Sequence, residues 1–404
     1  MIVGIVGAGA SGMVAALSAA QNPNVRVELF ERQARVGRKL QATGNGRCNL
    51  SNLHAAYGGF HGDESEFVAY AISSFDPAAT LNWFRGLGLF TVAEDSGRVY
   101  PYSDHANSVV DVLRLGLEKD NICLHTGFEV KKIRRDDVGF LVDDGQQQIR
   151  CDRLIIACGG LAGTKLGGSM SGYKLLAKFG HKSTRLRPAL VQLKTDWAGV
   201  ASLKGVRANC HVQIVHDGKV YAESTGELQF TDYGLSGPVM FEVSRDACAV
   251  PGQWAAQMDF MPNTETGELQ QELLRRIQTN LPVEELLTGI LHNRLGRILT
   301  RMAGVKNKQF ASELSEQEVE NVVATVKGFA LALTEPMGMD SAQVTAGGVI
   351  TKDFDPKTME SKLVPGLYAC GEVLDIDGDC GGYNLQWAWS SGRLAGLSAG
   401  KESV

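Results

Sequence analysis

The sequence predicts an α/β protein: a split Rossmann-like domain of the dinucleotide-binding type, carrying an inserted mainly-β domain and a small helical domain. Three observations predict it. A strand, glycine turn, helix and strand open the chain. A second glycine-rich strand and helix close it, from Val344 onward. Between them, after Pro188, the glycine clusters stop and the pattern becomes first β and then helical. The expected boundaries are 1–189 and 341–404 for the discontinuous domain, 190–262 for the β insert and 263–340 for the helical part.

At 404 residues the chain exceeds one ordinary core. Its 44% hydrophobic and 21% charged content is that of a globular protein. The 47 glycines imply many tight turns, as around a phosphate-bearing ligand. A net charge of −5 argues against non-specific nucleic-acid binding, which needs basic patches. Lys131-Lys132 and Arg134-Arg135 read as a solvated strand edge. The eight cysteines include no CxxC pair, so no zinc ribbon or dithiol motif is signalled. Met1 leads straight into Ile2–Val6 without a basic leader, and no apolar run is long enough to span a bilayer. A cytoplasmic protein with reduced cysteines and no membrane partner is therefore expected.

Ile2–Val6 is a short apolar run ending at Gly7, a strand. Met13–Ala20 is a small-residue helix, and Val25–Phe30 a second strand. Asp76-Pro77 starts a helix running through Trp83, with Asp as cap and Pro in the first turn. Asn107–Lys119 places Val109, Val110, Leu113 and Leu117 on one helical face. From Ile122 to Ile156 short strands alternate with turns at Asp136-Asp137 and Asp143-Asp144-Gly145. Residues 190–260 read as mostly β, with turns at Asp217-Gly218 and Ser236-Gly237-Pro238; 265–333 read as helical.

Four motifs carry chemistry. Gly7-Ala8-Gly9-Ala10-Ser11-Gly12 is a GxGxxG between strand and helix. Its glycines allow a tight turn, backbone approach to a pyrophosphate, and close helix–strand packing. The helix N-terminus attracts the anion. Glu31, nineteen positions after Gly12, stands where a ribose hydroxyl acceptor belongs. Val36–Leu40 and Thr43–Asn49 follow, with Arg38, Lys39 and Arg47 to pair with phosphate or adenosine and glycines to lie against a planar ring. Ala157-Cys158-Gly159-Gly160 ends a buried strand, where ligands of doubly wound folds gather. Gly366–Glu372 and Gly381–Gln386 form a last strand end and helix start. The acid suits a polyol, and the helix start suits negative charge on a ring. No metal is expected: Asp375, Asp377 and Asp379 have the DxDxD spacing of a calcium loop, but Gln386 stands where its closing Glu would be.

The segments 37–52, 97–113, 167–181, 226–238 and 343–392 make the chain resemble, over essentially its whole length, the BaiN/YhiN-type NAD(P)/FAD-dependent oxidoreductases, aminoacetone-oxidase-like flavoproteins. The resemblance implies an FAD cofactor. It places FAD on Gly7, Gly9, Ser11, Gly12, Glu31, Arg32, Arg38, Lys39, Thr43, Gly44, Gly46, Arg47 and Cys48. The same site takes Val130, Cys158, Gly159, Gly160, Gly371, Glu372, Asp379, Gly382, Tyr383, Asn384 and Leu385. Arg47, Cys48 and Tyr383 are the candidates for catalysis. Bile-acid ring reduction and aminoacetone oxidation are both attached to such proteins. This chain departs from the pattern at Cys158, Met170 and Pro336–Asp340, which puts a carried-over substrate in doubt.

The function expected is an FAD-dependent oxidoreductase acting on a small organic molecule, with NAD(P)H as a transient donor. A nicotinamide-only dehydrogenase would not need the C-terminal glycine-rich half. A flavin-bearing RNA-modifying protein and a redox sensor reporting through Cys48 are the other readings. A second GxGxxG is missing, so a nicotinamide would have no domain of its own. Residues from about 190 to 340, with Tyr233–Pro238 foremost, are expected to shape the substrate site, because both cofactor segments lie outside them.

Overall fold

The computed structural model describes residues 1–249 and 252–401; of Asp246, Cys248 and Ala249 only the backbone is described. The chain divides into two compact units, residues 1–187 with 343–404, and residues 188–342.

The first unit is built on a five-stranded parallel sheet. Its strands are β1 (Ile2–Val6), β2 (Arg26–Glu31), β3 (Ile122–Thr126), β4 (Arg153–Ile156) and β5 (Leu367–Ala369), in the order β5-β4-β1-β2-β3. The apolar runs that mark these strands are buried on both faces, as a parallel sheet requires: Val3, Ile5, Val27, Leu29, Leu154 and Ile156 are all inaccessible. Pairing is in register, with Ile5 beside Leu29 and Ile155, and Leu154 beside Leu367. The last strand thus comes from more than two hundred residues after its neighbour.

Helix α1 (Ala10–Ala19) follows β1 at once, and α2 (Tyr383–Ala399) follows the last glycine pair. The two pack backbone against backbone. A Cβ on Gly392 would come 2.4 Å from Ser11 O, and one on Gly396 2.2 Å from Ala15 O. Several buried polar groups of α2 are hydrogen-bonded. The buried Gln386 amide donates to Phe75 O, Thr80 and Ser390 and accepts from Ser51, and Trp389 donates to Leu50 O. Asp76 caps the Pro77–Gly86 helix, accepting from Ala79 N at 2.8 Å, as its sequence signature requires.

The second unit is a six-stranded antiparallel sheet covered by helices. Its long hairpin, Arg207–His216 with Lys219–Phe230, turns at Asp217-Gly218; both residues are left-handed, at φ 47° and 75°, as a primed turn demands. Two elements differ from the sequence reading. Ser236-Gly237-Pro238 opens a helix, Pro238–Ala249, because proline at the first helical position is as much a helix start as a turn. Phe329–Leu333, at the end of the 265–333 stretch read as helical, is an edge strand paired with Trp254–Asp259. Its strict burial alternation outweighs helix propensity. Residues of the 190–262 and 263–340 segments share one hydrophobic cluster, in which Val212, Met258 and Phe230 lie with Leu273, Leu299 and Val322. Among the described residues, no helix is long and apolar enough to cross a membrane.

Candidate functional site

The glycine turn after β1 shows which of its glycines the chain itself needs. A Cβ on Gly12 would lie 1.8 Å from Gly7 O, and one on Gly7, at φ 105°, would lie 2.5 Å from Ala157 O. Gly9 differs. Its backbone is extended (φ −82°, ψ −164°), and no atom lies within 4 Å of where its Cβ would be. Nothing in the chain requires glycine there. The open space lies before the N-terminus of α1, which has neither a side-chain cap nor an acid in its first turn. Uncapped N–H groups and reserved space together fit a pyrophosphate.

Glu31 ends β2 beside this turn. Its carboxylate accepts from Ala8 N at 2.9 Å and from Gln33 N at 2.8 Å. Four lone-pair positions are available to a carboxylate, so two backbone bonds fix it and leave capacity for ribose hydroxyls. Arg38 donates to Gln33 at 3.1 Å and Arg32 to Gly167 O at 2.6 Å, both near this acid in sequence and sheet position.

The two cofactor segments meet around Glu372. Lys39 Nζ lies 2.8 Å from Glu372 Oε2, and Thr345 N donates to Oε1 at 2.8 Å. Gly160 is glycine because a Cβ would stand 2.4 Å from that same Oε1. A Cβ on Gly371 would lie 2.6 Å from Ser11 Oγ, so the last strand end touches the first turn. Tyr173, missed by the sequence reading, is buried here. Burial, with the negative Glu372 adding to it, pushes its pKa up. A lysine–carboxylate pair with a buried tyrosine hydroxyl nearby fits a polyol-bearing cofactor.

The Thr43–Asn49 loop is sharply bent: Gly44, Asn45 and Cys48 are left-handed, and Gly46, at φ 86°, has open space at its Cβ position. Thr43 Oγ1 is turned inward to Leu40 O. Arg47 stacks 4.0 Å over Tyr100 and pairs with Asp104 at 2.5 Å and with Glu94. Cys48 is wholly buried, and burial pushes its thiol up to about 12. Burial of this kind disfavours the thiolate form. Cys158 is likewise pushed up to about 12 by burial; Val130 is a core residue. None of the seven described cysteines forms a disulfide; the Cys248 side chain lies outside the described residues.

At the start of α2, Gly382 is left-handed at φ 104°, and the helix has no side-chain cap. Asn384 spends its amide on Gly378, accepting from N at 2.8 Å and donating to O at 2.7 Å, and Leu385 packs on the core. Tyr383 keeps company that the sequence reading did not find. His61 Nε2 lies 2.6 Å from Asp379 Oδ1, and Phe60 meets the Tyr383 ring edge-on at 5.9 Å. The short strand Phe60–His61 pairs with Asp377–Gly378 across more than three hundred residues. A Cβ on Gly59 would strike both Tyr383 and Asp379.

The chain matches the family model described as HI0933-like protein Rossmann domain over residues 1–398. It is 38% identical over 403 residues, 98% of each chain, to the 3-dehydro-bile acid delta(4,6)-reductase of Clostridium scindens. It is 31% identical over 390 residues, 96% of this chain and 95% of the relative, to the ribosomal RNA dihydrouridine synthase of Escherichia coli. Among solved structures it is similar to the 3-ketosteroid delta1-dehydrogenase of Sterolibacterium denitrificans, at 13% identity and a TM-score of 0.49, covering 98% and 99% of the two chains. The match over residues 1–398, together with 38% identity to a relative covered over 98% of its length, establishes that the chain belongs to the HI0933-like Rossmann-domain family and is an FAD-dependent oxidoreductase of the BaiN/YhiN type.

Proposed function

We propose that the protein reduces a carbon–carbon double bond conjugated to a carbonyl group in a small organic molecule. The observation that carries this is the pair of relatives. One is named for reducing a 3-dehydro bile acid at the 4,6 positions, the other for making dihydrouridine in ribosomal RNA. The substrates are unrelated, but both conversions saturate a double bond conjugated to a carbonyl. The shared element is the bond, not the molecule around it.

FAD is held, in this reading, by the Gly7–Gly12 turn, Glu31, Lys39 and Glu372, with the start of α2 at its ring. When bound and reduced, it supplies a hydride to the β-carbon. The α-carbon then needs a proton from the protein. His61 is the candidate to give it: Asp379 orients the imidazole through a 2.6 Å contact, and Tyr383 lies beside Asp379. With the hydride that reduced FAD would supply, this proton would complete saturation of the bond; the chain's own part is to orient the substrate and deliver the proton. NAD(P)H is proposed as the donor that re-reduces it, entering the same site because a single GxGxxG serves the FAD.

The experiment is anaerobic. Photoreduced holoprotein is mixed with a 3-oxo-4-ene steroid, and the flavin spectrum is followed. Reoxidation with stoichiometric saturated product is expected. Reoxidation by oxygen but not by the enone overturns the reading. Reoxidation by a uridine-containing ribosomal RNA fragment alone moves the substrate from small molecule to RNA.

A further inference from the structure

The flavin reading leaves a second cluster unused, at the β2–β3 edge of the parallel sheet. Glu28 is a carboxylate 3% exposed in the middle of β2. Cys123 lies directly opposite it in register on β3, and His125, two residues on, projects from the same face. One oxygen, the sulfur and one ring nitrogen all lie within 4.8 Å of one another. Because β3 is the outermost strand and the His125 side chain is 22% exposed, the cluster opens to solvent.

We propose that Glu28, Cys123 and His125 form a binding site for a zinc-type divalent cation, with water completing a tetrahedron. The donor set is the ground for choosing that metal. A thiolate, an imidazole and a carboxylate together suit Zn²⁺, whereas calcium and magnesium take oxygen ligands. Register and period hold all three donors on rigid strands, so the site costs little to organise. The competing arrangement is an ion-pair network without metal. Arg26 Nε lies 2.6 Å from Glu28 Oε1, and His125 Nε2 lies 2.6 Å from Oε2. The Arg26 side chain is 64% exposed and sits at the strand's beginning, so it can leave for solvent when a cation arrives. A thiol ligates as its thiolate, so the cation binds by displacing the Cys123 proton and binding weakens as pH falls. Such a site would clamp the sheet edge, independently of flavin chemistry.

The test uses full-length holoprotein, stripped with chelator and titrated with Co²⁺. Absorption is read to the red of the flavin bands, where tetrahedral cobalt absorbs, and zinc retention is measured by elemental analysis after equilibrium dialysis. One metal per chain is expected, with protection of one thiol from alkylation. Cys123→Ser and His125→Gln should each weaken binding by more than about tenfold, with the FAD content unchanged. Wild-type protein that retains no more metal than Cys123→Ser, or binding untouched by His125→Gln, overturns the site in favour of the ion-pair network.

Discussion

Two helix starts in the first unit carry glycines, and the glycines do different work. At the start of α2, the left-handed Gly382 would place a Cβ 2.3 Å from Ser51 O, so the chain alone forbids any other residue. At the start of α1, Gly7 and Gly12 are likewise demanded by backbone contacts, but Gly9 between them has an ordinary backbone and empty surroundings. A glycine motif is thus a mixture. Gly7 and Gly12 serve the chain's own packing, whereas no contact of the chain accounts for Gly9. Gly9 is the middle glycine of the GxGxxG here, in line with the role assigned to the second glycine of such motifs.

Substitutions can break or sharpen this contrast. Gly12→Ala should be the most damaging, since a Cβ 1.8 Å from Gly7 O cannot be absorbed by a flexible side chain. A loss of about 3 kcal/mol or more is expected, read as a failure to recover folded protein or as a large drop in the denaturation midpoint. Gly382→Ala combines a left-handed backbone with a blocked position and should cost about 1–3 kcal/mol in the same measurement. Glu31→Gln should leave folding intact and weaken FAD by roughly 10- to 150-fold, the worth of a charge-assisted hydrogen bond. Unchanged FAD affinity would remove Glu31 from the site.

Asp375→Asn addresses the acidic run before α2. Burial raises the Asp375 carboxyl above its ordinary value, with the Asp63 amide opposing at 3.3 Å. The folded state therefore holds a proton that the unfolded state releases, and stability is lost as pH rises from the unfolded value of about 3.9 toward the higher folded value. The asparagine variant should melt higher than wild type at neutral pH, and the difference should vanish at about pH 3. The smallest effect is expected from Cys48→Ser. FAD should stay bound and flavin reduction should persist, because burial disfavours the thiolate and Cys48 is in no disulfide. Loss of two thiols on mild oxidation of wild type would contradict this.

Local signals were legible in the sequence. β1, the glycine turn and β2 announce themselves through an apolar run and its punctuation, and Asp76-Pro77 carries its own cap. Signals spread across the chain were not. The His61–Asp379 contact depends on a two-residue strand pairing that no pattern in either segment specifies. Lys39 and Glu372 were each assigned to the cofactor, but their mutual bond exists only once β5 takes its place beside β4. Glu28 could be seen in a strand, and Cys123 and His125 two apart in another, while their meeting required the β2–β3 register. Phe329–Leu333 failed for a different reason: alanine and leucine favour helices, and only the neighbouring strand makes the alternation decisive.

The most direct measurement compares Gly9→Ala with wild type in two assays on the same FAD-stripped protein. If the space at Gly9 is reserved for the cofactor's pyrophosphate, unfolding stability should change by no more than about 1 kcal/mol, the scale of a helix-cap substitution. FAD affinity in a fluorescence titration should fall by more than about tenfold, because a methyl group stands where the phosphate approaches the backbone. An alanine variant that binds FAD as tightly as wild type would show that the cofactor does not occupy that space.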